Sequence, residues 1–394
     1  MTAEEIFDVV VVGGGPCGAT AADDLARRGR KVLLLDRGGR VKPCGGAIPP
    51  RLIRDFEIPD HLLKARVSSA RMISPKAMSV DMPINGGGFV GMVDRGDFDE
   101  WLRQRAAQSG ATRRSGQYQK ITRDGDGVAT VHFRTKDGAQ DARVRARLVV
   151  GADGALSAVG RQEVAGADKT RFVFAYHEII RSPRADEKSK RCEIHYRGTL
   201  SPDFYAWIFP HGDTMSVGTG SAQKGFSLKS SVRDLRSLTG LDEAETVRRE
   251  GAPIPLKPLR RWDNGRDVLL AGDAAGIVAP ASGEGIYYAM LGGRLSADAA
   301  DEFLRSGDAR ALATARKRFM KAHGRVFWIL GIMQYFWYRN DKRRERFVKI
   351  CRDPDVQRLT WESYMNKELV RSDPIAHVRI FFKDLAHLFR LAPT

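Results

Sequence analysis

One stretch near the start restricts the fold of this chain more than any other. Phe7 to Val12 reads Phe-Asp-Val-Val-Val-Val, nearly all β-branched. Such a run suits a strand buried on both faces of a parallel sheet. Gly13-Gly-Gly15-Pro-Cys-Gly18 follows at once and fits G-x-G-x-x-G. Ala19 to Arg28 carries helix formers, with Ala22, Leu25 and Ala26 at helical spacing, and Gly29 ends that helix. Lys31 to Leu35 is a second strand, closed by Asp36. Each part has a physical reason. Gly13 permits the tight turn, Gly15 lets backbone approach a pyrophosphate, and Gly18 lets the helix pack close to the strand. The helix N-terminus offers unpaired N–H groups and positive dipole to phosphates. Asp36 can accept hydrogen bonds from both ribose hydroxyls. Its charge would repel a 2′-phosphate, so the site suits FAD or NAD better than NADP.

Two later segments repeat the strand–glycine–acid theme. Leu148-Val-Val-Gly-Ala-Asp153-Gly154 is one, and Val268-Leu-Leu-Ala-Gly272-Asp273-Ala-Ala-Gly276 is the other. Gly283, Glu284 and Gly285 then open an apolar helix at Ile286. Three αβ turns that need Gly and Asp for geometry alone are the plainer reading. Taken together, the three motifs resemble the FAD-dependent family built like para-hydroxybenzoate hydroxylase. The resemblance implies that Gly13, Gly15, Gly18, Asp36 and Arg37 hold the FAD pyrophosphate and adenosine ribose. It links Asp153 to flavin and pyridine-nucleotide contacts, and it places Gly272 and Asp273 at the flavin ribitol. The helix start near Gly283 and Gly285 would point at the flavin pyrimidine edge, where positive dipole stabilises reduced flavin.

At 394 residues the chain has room for two or three domains. The expected class is α/β: a Rossmann-like FAD-binding domain, an inserted mixed β-sheet substrate domain, and a C-terminal helical region. The FAD-binding domain is expected over 1–70, 95–165 and 262–300, with the substrate domain over 71–94 and 166–261 as a roof on the flavin. Within the first, turn pairs at Asp124–Gly127 and Asp137-Gly138 separate alternating runs and predict a β-meander. In the second, Val173–Ile180, Arg191–Tyr196, Tyr205–Phe209 and Thr214–Thr219 read as strands. Residues 301–394 form the basic helical region, with 20 Lys and Arg against 11 Asp and Glu.

Two further motifs narrow the chemistry. Lys42-Pro-Cys44-Gly45-Gly46-Ala-Ile-Pro-Pro50 is a loop whose glycines and prolines define its backbone tightly. It is either an ordinary loop with a small apolar thiol, or it aims a thiol into the active site with Lys42 near enough to bias it toward thiolate. Pro202-Asp-Phe-Tyr205-Ala-Trp207-Ile-Phe209-Pro210 puts Tyr205, Trp207 and Phe209 on one strand face. That face is either an aromatic core stripe or the apolar wall of a channel with the Tyr hydroxyl as polar handle.

Together these motifs resemble the geranylgeranyl reductase family, whose hallmarks are K-x-C-G-G and P-x-x-Y-x-W-x-F-P. Met92-Val-Asp-Arg95, Phe98-Asp-Glu-Trp101 and Tyr335–Arg344 resemble the branch of chlorophyll and bacteriochlorophyll synthesis. The resemblance implies an FAD enzyme, with NADPH as transient electron donor, that saturates three double bonds of a geranylgeranyl group to give phytyl. The substrate would be a prenyl diphosphate or a prenylated tetrapyrrole, and other pigment-synthesis enzymes would be its neighbours. It brings Cys44, Gly45, Gly46 and Arg95 to the cofactor, and Tyr205, Trp207, Phe209 and Pro210 to the substrate. An isolated alkene has no carbonyl to absorb charge, so hydride and proton must arrive together from positioned groups. Cys44 is the first candidate for the acid, Tyr205 the second, and a bound water the third. No second G-x-G-x-x-G appears for NADPH, which equally fits ferredoxin as donor. The rival readings are an FAD- and NADPH-dependent aromatic monooxygenase of the same fold, and a flavin-bearing assembly protein without activity.

The net charge of +17 favours phosphates or anionic membrane. No nucleic-acid motif accompanies it. Phe327–Tyr338 is aromatic, Arg339–Arg346 is basic, and Pro374–Leu391 spaces Ile375, Val378, Phe382, Leu385 and Phe389 as an amphipathic helix does. These suit peripheral attachment to a photosynthetic or inner membrane on its cytoplasmic side. Neither a signal peptide nor a membrane-spanning helix is expected. The four cysteines form no C-x-x-C pair, and the histidines, among them His177, His195, His211 and His323, show no ligand spacing, so no metal is expected and the histidines read as structural or solvent-facing.

Overall fold

The computed structural model describes residues 5–38, 41–135, 141–183 and 191–367. The turn expected at Asp137-Gly138 and the helix expected at Pro374–Leu391 lie outside the described residues. In chain order the strands are β1 (Ile6–Val12), β2 (Val32–Asp36), β3 (Ala47–Ile48), β4 (Leu63–Val67), β5 (Ser69–Ile73), β6 (Ser79–Pro83), β7 (Val90–Val93), β8 (Thr112–Arg123), β9 (Ala129–Thr135), β10 (Asp141–Gly151), β11 (Phe172–Arg181), β12 (Arg191–His195), β13 (Ala206–His211), β14 (Thr214–Ser221), β15 (Thr246–Pro255) and β16 (Val268–Leu270). The helices are α1 (Pro16–Arg27), α2 (Pro50–Asp55), α3 (Arg95–Gln108), α4 (Ala158–Glu163), α5 (Leu228–Leu238), α6 (Ile286–Ser306), α7 (Ala313–Trp337), α8 (Asp341–Ile350) and α9 (Pro354–Asn366).

The described residues divide into two compact units. The first takes Met1–Lys42, Arg95–Phe172 and Pro253–Trp328; the second takes Pro43–Asp94, Val173–Ala252 and the residues from Ile329 on. In the first unit β1 lies between β2 and β10, parallel to both, and β16 joins the far side of β10. The valines of β1 are buried on both faces, as a central parallel strand requires. Strands β8 and β10 are long because each changes partner along its length within one six-stranded sheet. The start of β8 runs parallel to β2, and its remainder pairs antiparallel with β9. Residues Asp141–Ala146 of β10 complete that meander, and the rest of the strand returns to β1. Helices α1 and α6 pack together closely, because a Cβ on Gly293 would stand only 2.3 Å from the Cys17 carbonyl oxygen.

The second unit is built on a mixed sheet in the order β15-β11-β14-β13-β12-β5-β6. Its neighbours are antiparallel except β12 and β5, which run parallel. Alternation along β13 and β14 gives the sheet two different faces. Ala206, Ile208, Met215 and Val217 pack against Val232 and Leu235 of α5. Trp207, Phe209, Ser216 and Gly218 take the opposite face. A small sheet, β3-β7-β4, packs beside Trp361, Tyr364 and Met365 of α9.

The strands expected at 173–180, 191–196 and 214–219 are present, each within two residues of its expected ends. The unit boundaries differ from the expected domains: residues 166–172, 253–261 and 301–328 belong to the first unit. Residues 43–70 pack in the second unit, since β3 and β4 pair with β7 there. The residues of α8 and α9 pack in the second unit as well, where Arg344 donates to the carbonyls of Pro202 and Tyr338 and the Trp361 indole N–H donates to Met82 O at 3.2 Å.

Candidate active site

The first unit carries the three glycine–acid motifs. Gly13 has φ +106° and a Cβ there would stand 2.3 Å from Ala152 O; a Cβ on Gly18 would stand 1.9 Å from Gly13 O. Both positions therefore require glycine for the chain's own packing. Gly15 is different: a Cβ there would meet nothing within 4 Å, and its φ of −74° is ordinary. Helix α1 starts beyond it with Pro16 in its first turn, no side-chain cap and no acidic residue, so its dipole is open to an anion. Asp36 braces this loop by accepting from the N–H groups of Gly14 at 2.7 Å and Gly38 at 2.8 Å. A carboxylate offers about four acceptor sites, so two such bonds leave capacity for ribose hydroxyls. Arg37, beside it, is exposed.

The turn after β10 sits behind this loop, with the Ala152 N–H donating to Val12 O at 2.8 Å. Asp153 accepts from Ser157 Oγ at 2.5 Å, from the Ala158 N–H at 2.7 Å and from the Val159 N–H at 3.2 Å, so it caps the start of α4. Burial raises its pKa above the ordinary carboxylate value, against those hydrogen bonds. Gly272, at φ +63°, lies over Cys17, and a Cβ would come within 2.8 Å of the cysteine Cβ. Burial and the nearby Asp273 charge push the Cys17 thiol far up, so it remains protonated. Asp273 is buried and pairs with Lys42. Gly283 (φ +65°) and Gly285 lead into α6, which again starts without a side-chain cap or an acidic residue. Arg95, at the start of α3, is buried and paired with Asp99 through two bonds of 2.8 and 2.7 Å.

The second unit brings the other two motifs together. A Cβ on Gly45 would stand 2.9 Å from two carbons of the Phe209 ring. One on Gly46, at φ +72°, would stand 2.4 Å from Val93 O and 2.6 Å from His211 Nε2. The two glycines thus let the loop settle onto the end of β13. Cys44 is half-buried, and its sulfur accepts from the Gly46 N–H at 3.4 Å. Ring contacts run along β13 from Phe204 on Tyr205 (centroids 4.3 Å, stacked) to Trp207 (6.0 Å) and Phe209 (6.1 Å). Trp207 is buried, whereas Tyr205 and Phe209 are half-buried. Tyr205 precedes the strand, which starts at Ala206 and not at Tyr205 as expected. Pro210 lies buried beyond the stretch paired to β12, where its missing N–H costs no ladder bond.

Residues 7–316 match the family model described as FAD binding domain. The chain is 57% identical to the geranylgeranyl diphosphate reductase of Rhodobacter capsulatus, over 98% of this chain and 98% of that one. It belongs to the geranylgeranyl diphosphate reductase family. The chloroplastic geranylgeranyl diphosphate reductase of Arabidopsis thaliana is 35% identical over 97% of this chain and 85% of its own. A solved structure from Thermoplasma acidophilum, described as geranylgeranyl bacteriochlorophyll reductase-like, has a TM-score of 0.81 at 22% identity, covering 94% of this chain and 99% of that one. At that identity the likeness shows the fold.

The residues present fit the FAD that this family's domain binds. The open space at Gly15 answers to no neighbour in the chain, and the uncapped starts of α1 and α6 are anion-seeking. Some side chains around these loops take partners that the sequence does not mark. In the reading that aims the Cys44 thiol into the site, Lys42 biases it toward thiolate; the Lys42 ammonium pairs with Asp273. His211, read as structural or solvent-facing, lies buried under Gly46, with Nδ1 3.1 Å from Phe209 O. Burial lowers its pKa to about 4, so it is neutral. Arg103 was also missed: its Nη1 donates to Gly14 O at 3.1 Å and holds the glycine loop from α3. Nothing in its local sequence marks it, since the contact spans 89 residues. No group of side chains able to hold a metal occurs among the described residues.

Proposed function

We propose that this chain reduces a geranylgeranyl group to phytyl, one double bond at a time, with NADPH as electron donor. The single observation that carries this reading is the seating of the Cys44-Gly45-Gly46 loop against Phe209 and His211, which joins the family's two hallmark motifs physically. When bound and reduced, FAD supplies a hydride to one alkene carbon. The chain must then hold the alkene and deliver a proton to the other carbon. Tyr205, Trp207 and Phe209 form a row of rings suited to an isoprenoid, which has apolar surface and no group to recognise by charge. Cys44 is our first candidate for the proton donor, with Tyr205 second and a bound water third. Gly13, Gly15, Gly18, Asp36 and Arg37 are assigned to the FAD diphosphate and ribose, and Gly272, Asp273, Gly283 and Gly285 to the flavin end. Asp153 and Arg95 are assigned in this reading to the cofactor site as well, Asp153 holding the turn after β10 and Arg95 paired with Asp99.

Attachment to the membrane surface belongs to the same proposal. No helix among the described residues is long and apolar enough to cross a membrane. Helix α7 nevertheless leaves Trp328, Ile332 and Tyr335 exposed, spaced along one side. The guanidinium groups of Arg339 and Arg343 stand over the rings of Tyr335 and Phe336. A prenylated substrate would reach the enzyme from such a surface.

The test is strictly anaerobic incubation of FAD-reconstituted protein with NADPH and geranylgeranyl diphosphate or its tetrapyrrole ester. Products should gain mass in steps of two hydrogens. A reaction that stops without oxygen and inserts it when supplied would establish the monooxygenase instead. Bound FAD with no turnover of either substrate would favour the assembly protein.

A further inference from the structure

The face of β14 beneath the aromatic row is paved with small residues. Trp207 pairs with Gly218 across the β13–β14 register. A Cβ on Gly218 would stand 2.3 and 2.5 Å from two indole carbons and 2.6 Å from His177 Cβ. The indole therefore lies flat on the strand, in space that only glycine leaves. Its Nε1–H donates to Ser216 Oγ at 3.0 Å. The same oxygen lies 2.8 Å from His177 Nδ1, and His177 Nε2 lies 3.0 Å from Glu250 Oε2. Ser216 is fully buried and His177 nearly so. Arg248 pairs with Glu250 and also donates to Asp94 at 3.0 Å, which anchors the far end.

Hydrogen accounting gives this chain one direction. An indole N–H can only donate, and a carboxylate can only accept. Glu250 is held ionised: burial opposes this, but the hydrogen bond from His177 and the Arg248 charge lower its pKa below the ordinary value. His177 Nε2 then carries its hydrogen toward Glu250. The Ser216 hydroxyl gives its own to Nδ1 and keeps a lone pair for the indole. Every hydrogen is used once. Turning the indole over would break the first link and strand the Ser216 lone pair in a dry interior, where an unmet polar group is costly.

We propose that Ser216, His177 and Glu250 are positioning residues for the reduction, a buried relay that fixes the Trp207 indole and so the width of the face that receives the prenyl chain. This rests on the assignment of the aromatic row to the prenyl substrate. With its ring centre 6.0 Å from Tyr205 and 6.1 Å from Phe209, a turned indole changes the whole row. None of the three residues is placed in contact with the reacting atoms.

The experiment uses the full-length, FAD-reconstituted protein labelled with 15N at the indole nitrogens. Loss of one signal in Trp207→Phe assigns Trp207 Nε1–H, which should be shifted downfield and slow to exchange. In Ser216→Ala and in Glu250→Ala that signal should move upfield and exchange faster. Ser216→Ala should raise KM for geranylgeranyl diphosphate about tenfold, the size of one lost hydrogen bond, and leave kcat within about twofold. In a Trp207→Phe background the same change should leave KM where it is, because the relay then has nothing to hold. A merely structural role predicts additive losses in that cycle, and additivity would overturn the proposal. So would an indole signal indifferent to both Ser216→Ala and Glu250→Ala. A responsive signal in a protein that reduces no prenyl substrate would support the relay and remove the proposed function instead.

Discussion

The two units use glycine for opposite ends. In the first, Gly13 and Gly18 clear room for backbone, and Gly15 stands beside open space. In the second, Gly45, Gly218 and Gly220 clear room for rings of the chain itself: Phe209, Trp207 and Phe204. One site is a cradle made of main chain, with its emptiness left for a ligand. The other is a wall made of side chains, filled from within. A cradle of the first kind depends on spacing between near neighbours, and it tolerates change only where nothing in the chain touches it. A wall of the second kind depends on partners far away in sequence.

The largest expected effect tests the cradle. Gly18→Ala puts a Cβ 1.9 Å from the Gly13 carbonyl oxygen, backbone against backbone, where nothing can move aside cheaply. The purified variant should be colourless and should not take up FAD, read as flavin absorbance per mole of protein. Gly15→Ala should leave the unfolding free energy of the FAD-free protein within about 0.5 kcal/mol of the parent, as for a substitution touching nothing. Its FAD affinity should fall at least tenfold if phosphate lies against that backbone. Equal behaviour of the two variants would remove the distinction between positions required by the chain and positions required by a ligand.

Next in size is the thiol on the wall. Positioned proton transfer contributes roughly 10²–10⁴-fold to rate. Cys44→Ala should therefore lower kcat by about that factor, with FAD binding and the KM for NADPH unchanged. A loss under about threefold would transfer the role to Tyr205 or to water. Because the Gly46 N–H donates to the sulfur, Cys44→Ser should retain loop geometry, which separates lost acid from lost shape.

These contrasts also mark what could be read from the sequence. The β1–Gly13–Gly18–α1–β2–Asp36 run was legible because its main-chain contacts are local or one strand away, although the Arg103 support on Gly14 is not. The Asp124–Gly127 turn and its meander were legible for the same reason. The aromatic row was visible as alternation, but its setting was not. Gly45 and Phe209 are brought together only by the fold, and so are Ser216 and His177. The partner of Lys42 was not legible either: its ammonium pairs with Asp273, 231 residues along the chain. Residues 43–70 were placed with the nucleotide domain because they follow β2, whereas pairing of β3 and β4 with β7 decides where they pack. The contribution of α9, whose Trp361 and Tyr364 pack beside Val67 and Met92, had no local signal at all.

A third prediction uses pH to probe the wall from inside. His211 has its pKa lowered from 6.5 to about 4, first by burial, with His177 acting in the same direction and Asp94 and the Phe209 carbonyl opposing. The unfolded chain therefore binds more protons than the folded one between those values. The stability this contributes is complete above about pH 6.5 and is lost as pH falls toward 4, in total on the order of 3 kcal/mol. Urea unfolding at pH 7 and pH 4.5 should show the wild type losing roughly 2 kcal/mol more than His211→Asn over that interval. Equal slopes would mean that protons reach the ring in the folded state, and that the loop above it is not closed.

The smallest effect is the one best able to break the comparison. Arg103 is a side chain that supports the main-chain cradle, through the carbonyl of Gly14. If the cradle is set by its backbone, removing this support should matter little. Glu100, which also binds Arg103, stays ionised without it: its pKa of about 2 is set first by Arg113, and that partner remains. Arg103→Gln should thus cost about one ordinary hydrogen bond, raising the Kd for FAD roughly fivefold, with no change in the unfolding midpoint at high salt. A hundredfold rise would show that the cradle, like the wall, is held by long-range side chains. The local spacing from Gly13 to Asp36 would then be necessary for the site without being sufficient to build it.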